Sequence, residues 1–225
     1  MSGCASGPNA NPRDPFEPSN RSLTKFNDGV DQAVLKPVAT AYRTVTPSPV
    51  RMGVTNFFNN LEDAWSFLNS VVQLRPQAAA ESLMRFSINT GLGLGGLLDI
   101  ATEAGIERHS EDLGKTLGRW GMPAGPYVVL PLFGPSTLRD TFTLTTELRL
   151  DFLNKVNHTG TRNSLGALRL VDSRANLLRL GNLLDDAALD KYTFTRDAFL
   201  AKRRADVARS INKGGDDSSD DDKGI

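Results

Sequence analysis

Six residues, Gly91-Leu92-Gly93-Leu94-Gly95-Gly96, satisfy the GxGxxG spacing that lets a backbone approach the pyrophosphate of a dinucleotide, and Glu111 and Asp112 follow where a ribose-binding acid could lie. That chemistry needs a strand before the glycines and a helix after them. The preceding Glu81 to Asn89 carries a helical pattern instead, so nucleotide binding is not expected. The segment also lacks the Lys and Ser/Thr with which a phosphate loop holds phosphates and magnesium. Its simpler use is to let helices or lipid come close to the backbone, in a stretch able to bend.

His109 and His158 are the only histidines, about fifty residues apart and in no metal-ligand spacing. Each reads as a surface or hydrogen-bonded polar residue; no metal, cofactor or Ser/His/Asp constellation is expected from them. There is no GxSxG elbow. Cys4 is the one cysteine, which excludes an internal disulfide and a cysteine-based zinc site. The small residues Ser2 and Gly3 before it resemble the end of a bacterial lipobox, which would follow an upstream signal peptide and be cut before Cys4; a free terminal thiol is the alternative at this point.

Basic and acidic residues balance at 26 each. The segment after Gly214 holds five Asp and one Lys, leaving 25 basic against 21 acidic residues, a net +4, in residues 1–214. A nucleic-acid binder usually shows a larger basic excess, so no nucleic acid is expected as partner. The tail GGDDSSDDDKGI buries nothing apolar and reads as solvated disorder. The longest apolar run, Tyr127 to Phe133, is interrupted by Pro131, far short of the about 20 residues of a spanning helix.

What remains is a chain of amphipathic helices, an all-α fold in one domain. Residues 1–18 read as a flexible tether rich in Gly, Pro, Asn and Ser, residues 19–213 as the helical body and 214–225 as the acidic tail. Order is expected to begin near Asn20, with Ser22 capping a helix through Leu23, Phe26, Val30, Val34 and Val38 that Pro37 kinks or breaks. Val50, Val54, Phe57, Phe58, Leu61, Trp65, Leu68 and Val72 form the clearest stripe of period 3.6, opposite Asn59, Asn60, Glu62, Asp63, Ser66 and Asn69. Pro76 opens another helix. Further helices are expected from a Ser136 cap through Leu148, across Leu165 to Leu178, and from Ala188 to about Ile211. Lys202, Arg203, Arg204, Arg209 and Lys213 crowd the last one; they could meet anionic headgroups, and by themselves read as a solvated face. Trp120 to Ser136, apolar yet studded with Pro and Gly, reads as a buried connector or as an apolar hairpin facing lipid or a partner.

Several blocks in order resemble the MlaA (VacJ) family of lipoproteins: Asp14-Pro15-Phe16-Glu17-Pro18-Ser19-Asn20-Arg21, Phe26-Asn27, Leu35-Lys36-Pro37, Asn56-Phe57-Phe58-Asn59-Asn60-Leu61, Glu111-Asp112-Leu113-Gly114, Trp120-Gly121, and Gly125-Pro126-Tyr127 through Gly134-Pro135-Ser136-Thr137 to Arg139-Asp140. The match runs from about Asp14 to Asp140, with weaker echoes at Asp172 to Arg174 and at Asp190, Tyr192, Arg196 and Asp197. It departs at Leu113, where the family has Phe, and at Thr143, where it often has Gly, so packing over Thr141 to Asn154 is expected to differ locally.

The resemblance implies a ring of helices in the inner leaflet of the bacterial outer membrane, facing the periplasm and anchored by an acylated Cys4. It implies an amphipathic passage for phospholipid, association with trimeric porins, and delivery to a soluble periplasmic lipid carrier. On this reading Phe26, Asn27, Gly91, Gly93, Gly95, Gly96, Tyr127, Leu130, Pro131, Leu132 and Phe133 are candidates for the passage or its gate, and the protein is not an enzyme. A phospholipase and a scaffolding lipoprotein are the alternatives.

Overall fold

The structure is a computed structural model describing residues 14–187 and 189–216, without side chains for 182–187 or beyond 212; Cys4 and residues 217–225 of the acidic tail lie outside the described residues. Helix α1 (Glu17–Val30) starts before the expected Ser22, with Pro18 in its first turn, while the Ser22 hydroxyl donates back to the Pro18 carbonyl. Pro37 does not break the helical run. A π-helical turn over Asp31–Leu35 widens the ladder ahead of the proline, and α2 (Lys36–Val45) continues from it.

Helices α3 (Ser48–Val72) and α4 (Pro76–Gly91) pack along each other, followed by α5 (Ile100–Glu103) and α6 (Leu113–Arg119). The period expected for α3 is present, and the buried face is the polar one. Asn60, Asp63, Ser66, Asn69, Ser70 and Gln73 are buried, whereas Val50, Leu68, Val71 and Val72 are exposed. The α4 side of this contact is equally polar, with Ser82, Arg85 and Asn89 buried.

The stretch expected to be a connector or hairpin is a hairpin. β1 (Tyr127–Leu130) pairs antiparallel with β2 (Gly134–Thr137), in the register Tyr127 to Thr137 and Leu130 to Gly134. Helix α7 (Leu138–Leu150) starts at once, capped by Thr137 rather than Ser136: its hydroxyl accepts the Asp140 amide at 3.2 Å. The departing Thr143 is buried there and donates to the Asp140 carbonyl at 3.0 Å. A 3-10 turn (Phe152–Lys155) leads to the long α8 (Thr159–Ala187) and then α9 (Lys191–Asp216). Ala188, the expected start of the last helix, lies outside the described residues.

Neighbouring elements close a circuit. Contacts run from α3 to α6, α6 to α7, α7 to the 3-10 turn, the turn to α8, and α8 back to α3. A wider circuit passes from α8 through α2, the π turn, α1, β1, β2, α9 and α6 to α3. Asp172 on α8 pins part of it, accepting from Tyr42 of α2 at 3.1 Å and Thr55 of α3 at 2.8 Å. Arg203 on α9 pins another, reaching Asp112 at the start of α6 (2.7 Å) and Asp140 of α7 (2.7 Å). Burial opposes ionisation of Asp112, but the Arg203 guanidinium and the Lys115 amide outweigh it and hold that carboxyl below the usual range. Among the described residues, no helix is long and apolar enough to cross a membrane.

Candidate functional site

The hairpin is held to α1 by two side-chain amides. Asn20 donates to the Tyr127 carbonyl at 3.1 Å and accepts the Val129 amide at 2.9 Å; Asn27 donates to the Leu130 carbonyl at 2.9 Å and accepts the Leu132 amide at 2.8 Å. The spacing is dictated by geometry. Seven helical residues rise about 10.5 Å, and three strand residues span about 10 Å, so asparagines two turns apart meet backbone sites three residues apart. Between them they occupy three backbone hydrogen-bonding groups of β1 and the Leu132 amide in the turn that follows it.

The base of the hairpin is firmly buried. Tyr127 sits edge-on to Tyr192 and Phe199 of α9, with ring centroids 6.2 Å away in each case, and burial pushes its hydroxyl up to about 12. Asp14 is wholly buried beside it, accepting from Asn20 at 2.8 Å, from Arg196 at 3.2 Å and from the Tyr192 hydroxyl. Phe26 is exposed next to the lower clamp, and the tip residues Leu132 and Phe133 project outward.

The glycine segment is placed differently. Gly91 ends α4, and the Gly95 and Gly96 amides donate back to the Thr90 and Asn89 carbonyls at 3.0 and 2.8 Å. A side chain at Gly93 would strike the backbone oxygens of Asn89 and Leu98; one at Gly96 would meet the Asn60 amide nitrogen at 2.6 Å. Asn89 in turn donates to Asp99 at 3.0 Å and accepts the Ala101 amide at 2.9 Å. No helix follows the glycines in the manner of a dinucleotide fold, and α4 precedes them where a strand would have to be. The structure brings Phe26, Asn27 and Tyr127 to Phe133 together and places the glycine segment elsewhere, with Gly96 against Asn60 of α3.

A half-open cavity of about 250 Å³ lies between α3, α7, the 3-10 turn and α8. Leu61, Trp65, Leu144, Leu148 and Phe152 give it apolar walls, and Glu62, Glu147, Asp151 and Arg169 polar ones. Arg169 meets Asp151 at 2.9 Å and Glu62 at 3.7 Å. Burial pushes the Glu147 carboxyl up to about 7, against the Leu113 amide that donates to it at 2.7 Å. Sequence reasoning missed Asn20, Glu147 and Arg169. Trp65 and Leu61 were visible as part of a stripe, with nothing to say that they line a cavity.

Twice as many polar as apolar residues are buried among the described residues, 22 against 11, while exposed Phe, Leu, Val, Met and Trp are spread over most elements. This inverts the pattern of a water-soluble globule. Three leucines sharpen it: Leu74, Leu94 and Leu132 adopt left-handed backbone conformations (φ 55°, 56° and 66°) at turns, with exposures of 83, 70 and 64%. A left-handed leucine costs roughly 1–2 kcal/mol, which Gly or Asn in the same turn largely avoids.

These features define a predominantly helical protein whose buried residues are mostly polar and whose exposed surface carries many large apolar side chains. The chain belongs to the MlaA lipoprotein family, whose model matches residues 12–206. It is 35% identical over 208 residues to the intermembrane phospholipid transport system lipoprotein MlaA of Escherichia coli (strain K12), covering 89% of this chain and 81% of that one. The protein of the same name from Haemophilus influenzae is 34% identical, covering 83% of this chain and 76% of the relative. An uncharacterized protein of Rickettsia bellii is 33% identical, covering 86% and 76%. A solved structure described as "Structural basis for maintenance of bacterial outer membrane lipid asymmetry" superposes with a TM-score of 0.75 at 33% identity, covering 86% of this chain and 98% of that chain.

Proposed function

We propose that this protein is an outer-membrane lipoprotein that takes mislocalised phospholipid out of the outer leaflet and passes it to a soluble periplasmic carrier, so maintaining the lipid asymmetry of that membrane. The observation that carries this reading is the inverted burial, polar within and apolar without. In water such an exterior is unfavourable; against acyl chains it is matched, and exposed left-handed leucines gain a partner for their side chains. The body lies in the inner leaflet, open to the periplasm, held by an acylated Cys4 and associated with trimeric porins. Relatives named for an intermembrane phospholipid transport system support the substrate class.

The amphipathic cavity at Trp65, Glu147 and Arg169 is the proposed inner part of the passage. Its polar wall suits the charged headgroup and its apolar wall the tails, avoiding the several kcal/mol of an unpaired charge in hydrocarbon. At about 250 Å³ it falls below the ~300–1,000 Å³ of ordinary small-ligand sites, so a two-chain lipid needs it to widen. The hairpin from Tyr127 through Leu130, Pro131 and Leu132 to Phe133, with Phe26 and Asn27, is the proposed gate. Gly93 and Gly96, closed in by backbone and by Asn60, are assigned to its fixed frame, while Gly91 and Gly95, which face open space, stay candidates for a bend beside the passage. Flow is passive and needs no nucleotide.

The test is transfer of labelled phospholipid from donor vesicles containing the protein, followed by thin-layer separation. Intact lipid reaching the carrier is expected; lysolipid or fatty acid would indicate a phospholipase, and neither would favour a scaffold. Mass spectrometry of native protein is expected to find acyl chains on Cys4, and Cys4→Ser to lose membrane retention.

A further inference from the structure

We infer a divalent-metal site, suited to zinc, at Glu81, Glu107 and His109, where one imidazole nitrogen and two carboxylate oxygens lie within 4.8 Å of one another. The sequence does not show it, because Glu81 is carried on α4 and reaches His109 across 28 residues. The segment 106–110 has no regular secondary structure, and it brings the ligand atoms of Glu107 and His109 to Glu81 while Arg108 is drawn toward α3. Arg108 is tied to Asp63 at 3.1 Å and Glu62 at 3.0 Å, and Arg85 holds the Ile106 carbonyl at 2.8 Å. The Glu111 amide donates to Ser66 at 3.0 Å, and Arg75 holds its carboxylate at 2.6 Å. The ligand-bearing segment is thus fixed on its α3 side before any ion arrives.

His109 is buried, and its Nε2 faces Glu81 Oε2. Gln77 donates to the other Glu81 oxygen at 3.0 Å, orienting the carboxylate as an outer-shell partner does. Glu107 is exposed, so its side chain can close on an ion whose bonds of about 2.0–2.2 Å set donors roughly 3.5 Å apart. A cavity of about 460 Å³ opens beside Glu107 and His109 and gives a hydrated ion access. Of the cations around it, Arg75 is paired with Glu111, Lys202 and Arg209 share Asp206, and Lys115 donates to the Ser110 carbonyl. One imidazole with two carboxylates favours zinc over magnesium or calcium, which prefer all-oxygen sets. Bound there, the ion staples the Ile106 to Asp112 segment to α4.

The experiment is calorimetric titration of the full, tag-free chain in detergent with zinc chloride, in a Cys4→Ser background so that no thiol contributes. One saturable site is expected, weakened about tenfold or more by His109→Gln and by Glu107→Gln and unchanged by His158→Gln. Zinc should also raise the melting temperature of the parent and not of His109→Gln. Absence of saturable binding in the parent, or equal affinity in the variants, overturns the site. Should His109→Gln lose its helical circular dichroism, the exposed Glu107→Gln decides alone.

Discussion

Gly91–Gly96 and the Tyr127–Gly134 hairpin are both short, apolar and glycine-bearing, yet they are opposite in construction. Backbone oxygens and Asn60 close in on Gly93 and Gly96, although Gly91 and Gly95 face open space, and nothing lies within 4 Å of the position a side chain would take at Gly134. Behind the first stands the buried guanidinium of Arg85, bonded to Asp63 and Asp99 at 3.3 and 2.9 Å. The tip of the second is held by the two hydrogen bonds from Asn27. Glycine content by itself does not mark a moving part; what each glycine faces decides, and this is the ground on which the hairpin, and not the packed glycines, is proposed as the gate.

The largest effects are expected in the frame. Arg85→Met leaves Asp63 as a buried carboxylate short of one partner and should cost about 3–5 kcal/mol in denaturant unfolding. Burial already pushes the Asp63 carboxyl upward against Arg108 and Arg85. A cost near zero would mean that the frame is as loose as the hairpin.

Next comes the base of the hairpin. Asn20→Ala strands the buried Tyr127 carbonyl and Val129 amide, at about 1–3 kcal/mol for each group left unsatisfied. Asn27→Ala, at a half-buried position, should cost about 1 kcal/mol and raise amide exchange at Leu132 with the helices intact. Equal exchange at Leu132 and at Gly96 in the parent would erase the contrast.

How much of this the sequence discloses depends on the range of each interaction. Helical period is local, so the stripe from Val50 to Val72 and the expected helix types stand. Which face turns inward is not local: only with α4 alongside do Asn60, Asp63 and Asn69 become interior, while Val50, Leu68 and Val72 of the apolar stripe are left exposed. Caps at Ser22 and Ser136 were misplaced because a competing proline or a neighbouring threonine serves as well. The pairing of Asn20 and Asn27 with a strand over a hundred residues away, and of Arg169 with Asp151 and Glu62, rests on tertiary contacts that no motif encodes. Phe26-Asn27 was reached through family resemblance, not through its chemistry.

The smallest expected effect is a pH slope at the cavity. Glu147 is raised from its ordinary 4.5 to about 7, so the folded state keeps a proton that the unfolded chain releases. Its contribution is fully present below about pH 4.5 and is lost as pH rises through about 7. Unfolding of the Glu147→Gln variant should have a flatter profile in that window, and an identical slope would place the carboxyl in water.

Two disulfide locks test the division into gate and frame most directly. One joins the hairpin to α1 through Asn27→Cys with Leu132→Cys, at the clamp where the Leu132 amide meets Asn27 at 2.8 Å; the other joins the glycine turn to α3 through Asn56→Cys with Leu97→Cys, where the Asn56 amide meets the Leu97 carbonyl at 3.1 Å. Phospholipid transfer to the carrier is then measured with and without reductant. The account predicts that the oxidised hairpin lock slows transfer, that reductant restores it, and that the turn lock changes nothing. Unchanged transfer with the hairpin fully oxidised would contradict it.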